Sequence, residues 1–459
     1  MTPMTPGLLI GVDLGTTRIK AVAVDTAGEV RGQAERPTPW QHAGGRTEID
    51  PDRLAETAAD VAAAAAEAGS SMIKASLQSL ERGEGRLDHG SGVLGVGVTG
   101  MAETGVLVDG SDRPLTPAIA WHDPRGDLDT IARELGTDAF QRATGLPLTP
   151  LPSLGKLLWL RRRHPDLGKP ARFYSVSEWV VRRLGGEPVA ELSLASRTGL
   201  LDLAAARPWD AAADLLGWPA LLPEPVPAGT PAGRVGDERP VLRGAVLTVA
   251  GHDHQVAAYG VGAATDGALF DSLGTAEALV RTIRAPLPPD RVGALAGHGA
   301  SVGWGVRADH LSVMAGLPTG LTLNRIAALL GATTTADRRA LSERALAAPE
   351  HPTLRLVDPT DERFGLAGIT DEVTPEVLWR VAVDGLVAAA DEALNRIDAL
   401  AGPYREVVVG GGWLHDPALL AGKRRQFPAM RTTRIAEPGA YGAALLAARA
   451  AGVPLTDGR

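Results

Sequence analysis

Leu8-Leu9-Ile10-Gly11-Val12-Asp13-Leu14-Gly15-Thr16-Thr17-Arg18-Ile19-Lys20 runs directly into Ala21-Val22-Ala23-Val24-Asp25, setting an aspartate and a Gly-Thr-Thr turn between two apolar segments. Each run is short and bounded by turn residues, which reads as a pair of buried strands. Small residues in the turn let backbone N–H groups and hydroxyls face an anion. A Walker loop would follow its strand with a helix and carry Gly-Lys-Ser/Thr at fixed spacing, whereas this chain re-enters a strand. The reading is a phosphate loop built on a hairpin. Asp13 is placed for a hydrated Mg²⁺ carrying a nucleotide's phosphates, because Mg²⁺ prefers oxygen ligands and keeps several waters. The competing reading is a tight hairpin whose aspartate caps its own backbone.

With 459 residues, 44% of them hydrophobic, the chain can bury a sizeable core in two or three domains. A net charge of −8 provides no basic field for nucleic acid or an acidic membrane surface, which favours small-molecule chemistry. The absence of cysteine removes disulfides, thiolate nucleophiles and thiolate metal sites, and fits a reducing compartment. Met1 to Gly7 carries no basic residue, so no signal peptide is expected. The richest apolar stretch, Val61 to Ala68, is an alanine helix interrupted by Glu67 rather than a membrane span. A soluble cytoplasmic protein is expected.

Asp50-Pro51 reads as an N-cap with proline at the first position of a helix through Ala68. Ser70 to Gly92, which contains Glu81-Arg82-Gly83-Glu84-Gly85-Arg86, is expected to be a solvated surface loop or short insertion. Val93 to Val98 and Gly105 to Asp109 read as strands around Thr99-Gly100-Met101-Ala102-Glu103-Thr104. Ala118 to Trp121 is a short strand before His122-Asp123-Pro124-Arg125. The Pro-rich Pro219 to Pro240 is expected to be structureless, ahead of a buried strand at Ala245 to Ala250. Ala268 to Val280 then repeats the opening theme of strand, Gly-Thr turn and strand at Gly274-Thr275, which suggests a duplicated core with a boundary near residue 260.

If both Gly-Thr hairpins face one cleft, they form two sides of a phosphate clamp. Gly410-Gly411-Gly412, after the apolar strand Val407-Val408-Val409, would let a flat nucleotide approach the backbone closely. The small residues of Glu437-Pro438-Gly439-Ala440-Tyr441-Gly442-Ala443-Ala444 allow either tight helix packing or adenine contact. Gly251-His252-Asp253-His254-Gln255 follows a buried strand and opens a helical pattern. A carboxylate at such a junction sits in the cleft near the positive end of a helix dipole, ionised and ready to accept a hydroxyl proton; a plain helix N-cap is the alternative. A transition-metal site at His252, Asp253 and His254 is disfavoured, because consecutive residues diverge in direction and no third histidine is placed by motif.

Together these residues resemble the FGGY family of carbohydrate kinases, two-domain enzymes of the actin, hexokinase and 70-kDa heat-shock ATPase superfamily. The resemblance covers nearly the whole chain: Gly11 to Lys20 as first phosphate motif, Val96 to Thr104 and Pro117 to Arg125 as sugar-site segments, Ser193-Leu194-Ala195-Ser196-Arg197-Thr198 as a mid-domain motif, Gly251 to Gln255 around the catalytic aspartate, Gly274-Thr275 as second phosphate motif, and Gly410 to Gly412 for the nucleotide. Leu151 to Leu160 is close to the family's first signature, departing from it at Leu151 and Arg163, and the second signature is only partly met around Leu366 to Asp384.

The resemblance implies an α/β fold of two ribonuclease H-like (actin-like ATPase) domains with a central cleft, each a mixed sheet flanked by helices. Residues 1–260 would carry the sugar site and first phosphate motif, and 261–459 the second phosphate and adenosine motifs. Asp253 is implied as the base. Asp13, Gly15, Thr16, Thr17, Lys20, Gly274, Thr275, Gly320, Asn324, Gly411 and Gly412 are implied nucleotide and phosphate contacts, with Mg²⁺ held largely through water by Asp13 and Asp253. ATP and Mg²⁺ are the implied cofactors, and a homodimer is compatible with the family.

Glu103, Ala102, Trp121, His122, Asp123, His254 and Leu151 are expected at the sugar. A glycerol kinase reads Gln-Arg-Glu-Thr where Met101 to Thr104 stands, tyrosine at Leu151 and glutamine at His254. Loss of that arginine and tyrosine removes hydrogen bonds a buried triol needs and opens volume, so the expected acceptor is a ketose such as a pentulose, or a polyol longer than glycerol. Xylulose kinases place Met-His at Ala102-Glu103, so that match is imperfect too. The competing classes are an actin- or chaperone-like ATPase and a sugar-responsive binding module without kinase activity. Glu103, Trp121 and Asp253 discriminate, since a motor ATPase needs no polyol-sized polar pocket beside the γ-phosphate.

Overall fold

A computed structural model describes residues 7–80, 92–361 and 363–455. The opening hairpin forms as expected: Leu8–Leu14 pairs antiparallel with Arg18–Asp25, Asp13 opposite Lys20. Val30–Pro37 extends it into an antiparallel meander, while Val93–Gly100 and Val246–His252 add in parallel on the other edge to complete a five-stranded sheet. A six-stranded sheet in the second half is built the same way. Ala268–Leu273, Glu277–Arg284 and His310–Leu317 form the meander, and Glu406–Gly410 and Arg431–Thr432 the parallel side, with Ser301–Trp304 added at the far edge. The two Gly-Thr turns thus occupy the same topological position in the two sheets.

The helix Pro51–Leu80 packs on one face of the first sheet. It runs past Ala68 to Leu80, so Ser70 to Leu80 is helical rather than loop, and residues 81–91 of the expected loop lie outside the described residues. Gly69 lies within this helix where it crosses the sheet closely: a Cβ on it would lie 2.9 Å from Ala23 Cβ, and one on Gly32 in the facing strand 2.4 Å from Gly69 N. Pro219 to Pro240 is not wholly structureless either, because Pro225–Val226 pairs in parallel with Ala190–Glu191.

The last helix, Pro438–Ala450, returns to the other face of the first sheet, against Leu8–Leu14, Val93–Gly100 and the helix Asp253–Gly260. The glycines in those strands are the reason it can. A Cβ on Gly11 would lie 1.8 Å from Ala440 O, and one on Gly97 2.2 Å from Ala443 O. The small residues of Gly439 to Ala444 are therefore spent on helix-on-sheet packing, the first of the two readings open for them. Leu269, Leu279, Leu323, Trp379, Leu386 and Leu419 form the separate core of the second sheet, covered by Thr319–Leu329, Pro375–Ala401 and Pro417–Gln426.

Candidate active site

Asp253 is the first residue of a helix that follows strand Val246–His252 without a loop. The junction is bent by a register shift between Val249 and Gly251. Gly251 adopts φ 113°, and a Cβ there would lie 2.6 Å from Ser193 Oγ, so only glycine fits. The bend is fixed from both sides, since Thr99 Oγ1 donates to Gly251 O (2.6 Å) and His252 N donates to Ser193 Oγ (3.0 Å). The helix N-cap is His252 rather than Asp253, which overturns the N-cap alternative for the aspartate. The Asp253 carboxylate accepts from His254 N (2.6 Å) and has His252 Nε2 3.2 Å from Oδ1. Burial pushes the buried His252 imidazole down to about 3, so this histidine is neutral. Burial opposes ionisation of Asp253, but the polar groups of His254 and His252 hold its carboxyl below the usual carboxylate range.

Asp13 lies across the cleft floor from it. Burial first, and the neighbouring Asp253 charge second, push the Asp13 carboxyl up to about 8. Its Oδ1 is buried and has no hydrogen-bond partner, and Gly439 leaves it room, since a Cβ there would lie 2.4 Å from Oδ2. An orphaned carboxylate oxygen beside a second carboxylate suits a hydrated divalent cation. Among the described residues no group of three or more His, Asp or Glu could hold a metal ion.

The Gly15-Thr16-Thr17 turn is braced by two tryptophans and a threonine. Trp40 Nε1 donates to Thr16 O (2.6 Å), Thr38 Oγ1 to Gly15 O (2.7 Å) and Trp121 Nε1 to Thr16 Oγ1 (2.9 Å). Thr17 is exposed. Lys20 pairs with Glu437 (2.8 Å) beside Asp13, whose carboxyl its charge helps to lower. In the second half Gly274 is half-buried, Thr275 is exposed, and the turn is backed by Gly320. A Cβ on Gly320 would lie 2.1 Å from Gly274 O, so this glycine serves the turn's packing; Asn324 is exposed on the same helix. Gly411 has φ 103° and presses on Leu273, whose carbonyl oxygen would lie 2.3 Å from a Cβ, whereas Gly412 faces open space. Of the triple glycine, the third is the one left free for a flat ligand.

Next to Asp253 is a cavity of about 310 Å³, lined from the first half by Thr16, Met101, Ala102, Glu103, Trp121, Leu151, Arg197, His252 and His254, and from the second by Ala276, Glu277, Ser301 and Met314 among others. It unites Ala102, Glu103, Trp121, Leu151, His254 and Asp253, as expected. Two expected residues are outside its lining. Asp123 is consumed by structure: although burial works against it, both Arg125 contacts at 2.8 Å and the Thr47 N–H hold its carboxyl at about 2. His122 is exposed, edge-on between Trp40 and Trp121.

Arg197 is the residue that motif reading left without a role. Its guanidinium takes Glu103 Oε1 at 2.5 and 2.7 Å and reaches across the cleft to Ser301 Oγ. Glu103 has φ 62°, an uncommon conformation for a non-glycine residue, and its carbonyl is fixed by Ser153 Oγ (2.9 Å). Lys156, buried, supplies the other brace by donating to the carbonyls of Trp121, Pro150 and Leu151 (3.2, 2.5 and 3.1 Å).

The model of the N-terminal domain of the FGGY family of carbohydrate kinases matches residues 8–260. The chain is 29% identical over 472 residues to a xylulose kinase of Streptomyces rubiginosus, covering 96% of this chain and 87% of that one. It is 31% identical over 289 residues to a glycerol kinase of Methylibium petroleiphilum, a match spanning 58% of this chain and 52% of that enzyme. The fold superposes on the crystal structure of xylulose kinase from Rhodospirillum rubrum with a TM-score of 0.81 at 22% identity, covering 97% and 91% of the two chains. Two duplicated sheets with paired Gly-Thr turns, a carboxylate-floored cleft and a matched family domain place this chain in the FGGY family of carbohydrate kinases, as an ATP-dependent phosphotransferase acting on a sugar or polyol hydroxyl.

Proposed function

We propose that the acceptor is a ketose such as a pentulose, or a polyol longer than glycerol, phosphorylated in the cytoplasm by MgATP in a cleft between units meeting near residue 260, with Asp253 as the base. The observation that carries this reading is Asp253 at the wall of a cavity lined by Ala102 and Leu151, so a triol would find neither the arginine nor the tyrosine that a glycerol kinase carries at those two positions. Phosphoryl transfer needs charge neutralisation and in-line positioning more than a strong base, so an oriented aspartate suffices to take the hydroxyl proton. Asp13 and, through water, Asp253 would hold Mg²⁺, which supplies neutralisation of the phosphate charge when bound. Gly15 to Thr17 and Gly274-Thr275 would cradle the phosphates from opposite sides, and Gly412 would face the nucleoside. Similarity to a xylulose kinase and a glycerol kinase supports a small sugar or polyol as acceptor.

A coupled ADP-release screen over four- to six-carbon ketoses, polyols and sugar acids, with glycerol included, tests the substrate. Glycerol is expected to be poor, each lost hydrogen bond contributing roughly 0.5–1.5 kcal/mol. A glycerol specificity constant equal to that of the best ketose or longer polyol would sink the assignment.

Metal dependence should vary with pH. Because the Asp13 carboxyl is held up at about 8, a cation must displace its proton below that value, and metal affinity falls as protons compete. Half-saturating Mg²⁺ at fixed saturating ATP is expected to be higher at pH 6.5 than at pH 8.5, by up to about tenfold per pH unit below the carboxyl's pKa. A pH-independent Mg²⁺ requirement would count against Asp13 at the metal.

A further inference from the structure

We propose that the buried cluster of Lys423, Asp271 and Glu277 anchors the Gly274-Thr275 turn for phosphoryl transfer, which makes Lys423 a positioning residue of the kinase reaction. The proposal rests on the assignment of that turn to the phosphate chain made above.

Lys423 projects from the helix Pro417–Gln426, and its side chain is 0% exposed, as is that of Asp271, with Glu277 at 1%. Its Nζ lies 2.9 Å from Asp271 Oδ2, 2.5 Å from Glu277 Oε1 and 3.0 Å from Gln426 Oε1. Asp271 stands on the strand entering the turn and Glu277 on the strand leaving it. One ammonium therefore ties both stems of the hairpin together. The second oxygen of Glu277 accepts from Thr319 Oγ1 at 2.5 Å. Thr319 opens the helix whose Leu321 N donates to Thr275 O (2.8 Å) and whose Gly320 backs Gly274. Glu277 thus grips Lys423 with one oxygen and the turn's backing helix with the other, and it also lines the acceptor cavity.

The surroundings give no packing reason for three charges. Leu269, Leu273, Leu279 and Leu419 belong to the same apolar core, and replacing a buried ion triad by apolar residues is often neutral or stabilising. What a directional network adds is a fixed geometry for the group it supports. Burial pushes the Asp271 carboxyl up to about 7 and works against the Lys423 ammonium too, but Asp271 and Glu277 outweigh it there and hold the ammonium above the usual lysine range.

Lys423→Met strands two buried carboxylates and is at risk of unfolding, so it is paired with the charge-free Asp271→Asn/Glu277→Gln/Lys423→Met variant, with Thr275→Val as a control on the turn itself. Steady-state kinetics with the best acceptor from the screen and calorimetric ATP binding are the readouts. The charge-free variant is expected to fold, to lose at least about tenfold in kcat and to bind ATP more weakly. A merely structural cluster would move the melting temperature alone, and wild-type kcat and ATP affinity in the charge-free variant overturn the proposal. Failure of both cluster variants to fold overturns it as well, by making the cluster a folding element. If Thr275→Val leaves kcat and ATP affinity unchanged, the phosphate assignment has failed and the proposal with it. If Thr275→Val impairs both and the charge-free variant does not, only the anchor is lost.

Discussion

Asp253→Asn is expected to lower turnover by roughly 10²–10⁴, the usual contribution of a positioned general base, while ATP binding stays near the wild-type value. The amide keeps the size of the side chain and can still accept from His254 N, which now holds Oδ1 at 2.6 Å. Its other face cannot take a proton from a sugar hydroxyl. An amide N–H turned onto the Oδ1 position would meet the donor His254 N, so the carboxamide has one favourable orientation. Its N–H group is then aimed at the acceptor site. The loss should therefore appear in kcat rather than in the nucleotide's KM, with the acceptor KM changing modestly. Near wild-type turnover in a folded Asp253→Asn protein, on the best acceptor, would remove the base assignment. The strand-to-helix bend built by Gly251, Ser193 and Thr99 would then be read as architecture alone.

Local pattern was enough for the hairpins. Short apolar runs around Gly15-Thr16-Thr17 and Gly274-Thr275 admit few other structures, and the matching meanders of the two sheets follow from them. It was also enough for Asp253, because a strand running straight into a helix leaves a side chain at the helix N-terminus facing outward. Pattern failed where a residue's partner is distant or unlooked for. Asp123 was read as a hydroxyl contact, yet Arg125, two residues on, already neutralises it; an Asp-x-Arg pair could have been weighed from the sequence. Arg197 and Glu103 meet across 94 positions, and Lys423 and Glu277 across 146. An arginine in the otherwise small and apolar stretch Ser193 to Thr198, or a lysine among Ala418, Leu419 and Gly422, is a weak signal, because side chains of that length can equally reach solvent. The helix past Ala68 was missed for the opposite reason. Gly69 and two serines look like a break, and only the contact with the sheet, where a Cβ on Gly69 would lie 2.9 Å from Ala23 Cβ, shows why a glycine suits the helix there.

Asp13→Asn should impair ATP use with every acceptor and should do so by a different route from Asp253→Asn. Asp13 faces the sugar only through whatever it holds, and its Oδ1 has no hydrogen-bond partner in the protein. Loss of a carboxylate that orients a cation largely through water is worth roughly 10–100-fold in metal affinity or activity, so raising Mg²⁺ should recover part of the activity. Any recovery for Asp253→Asn should be small, because what it chiefly loses is proton acceptance, which added Mg²⁺ does not restore. Stability separates the two further. A carboxyl raised in the folded state contributes stability that is fully present below its unfolded value, 3.8, and is lost as pH rises through its folded value, about 8 for Asp13. In the absence of divalent cation the wild-type protein should therefore become less stable between pH 6 and pH 9, and Asp13→Asn, which has no proton to lose at that position, should show a flatter profile. Chemical denaturation in a chelator across that range measures it. If the two profiles run parallel and added Mg²⁺ leaves the kcat of Asp13→Asn unchanged, Asp13 is a structural cap of its own hairpin, and the cation must be held elsewhere in the cleft.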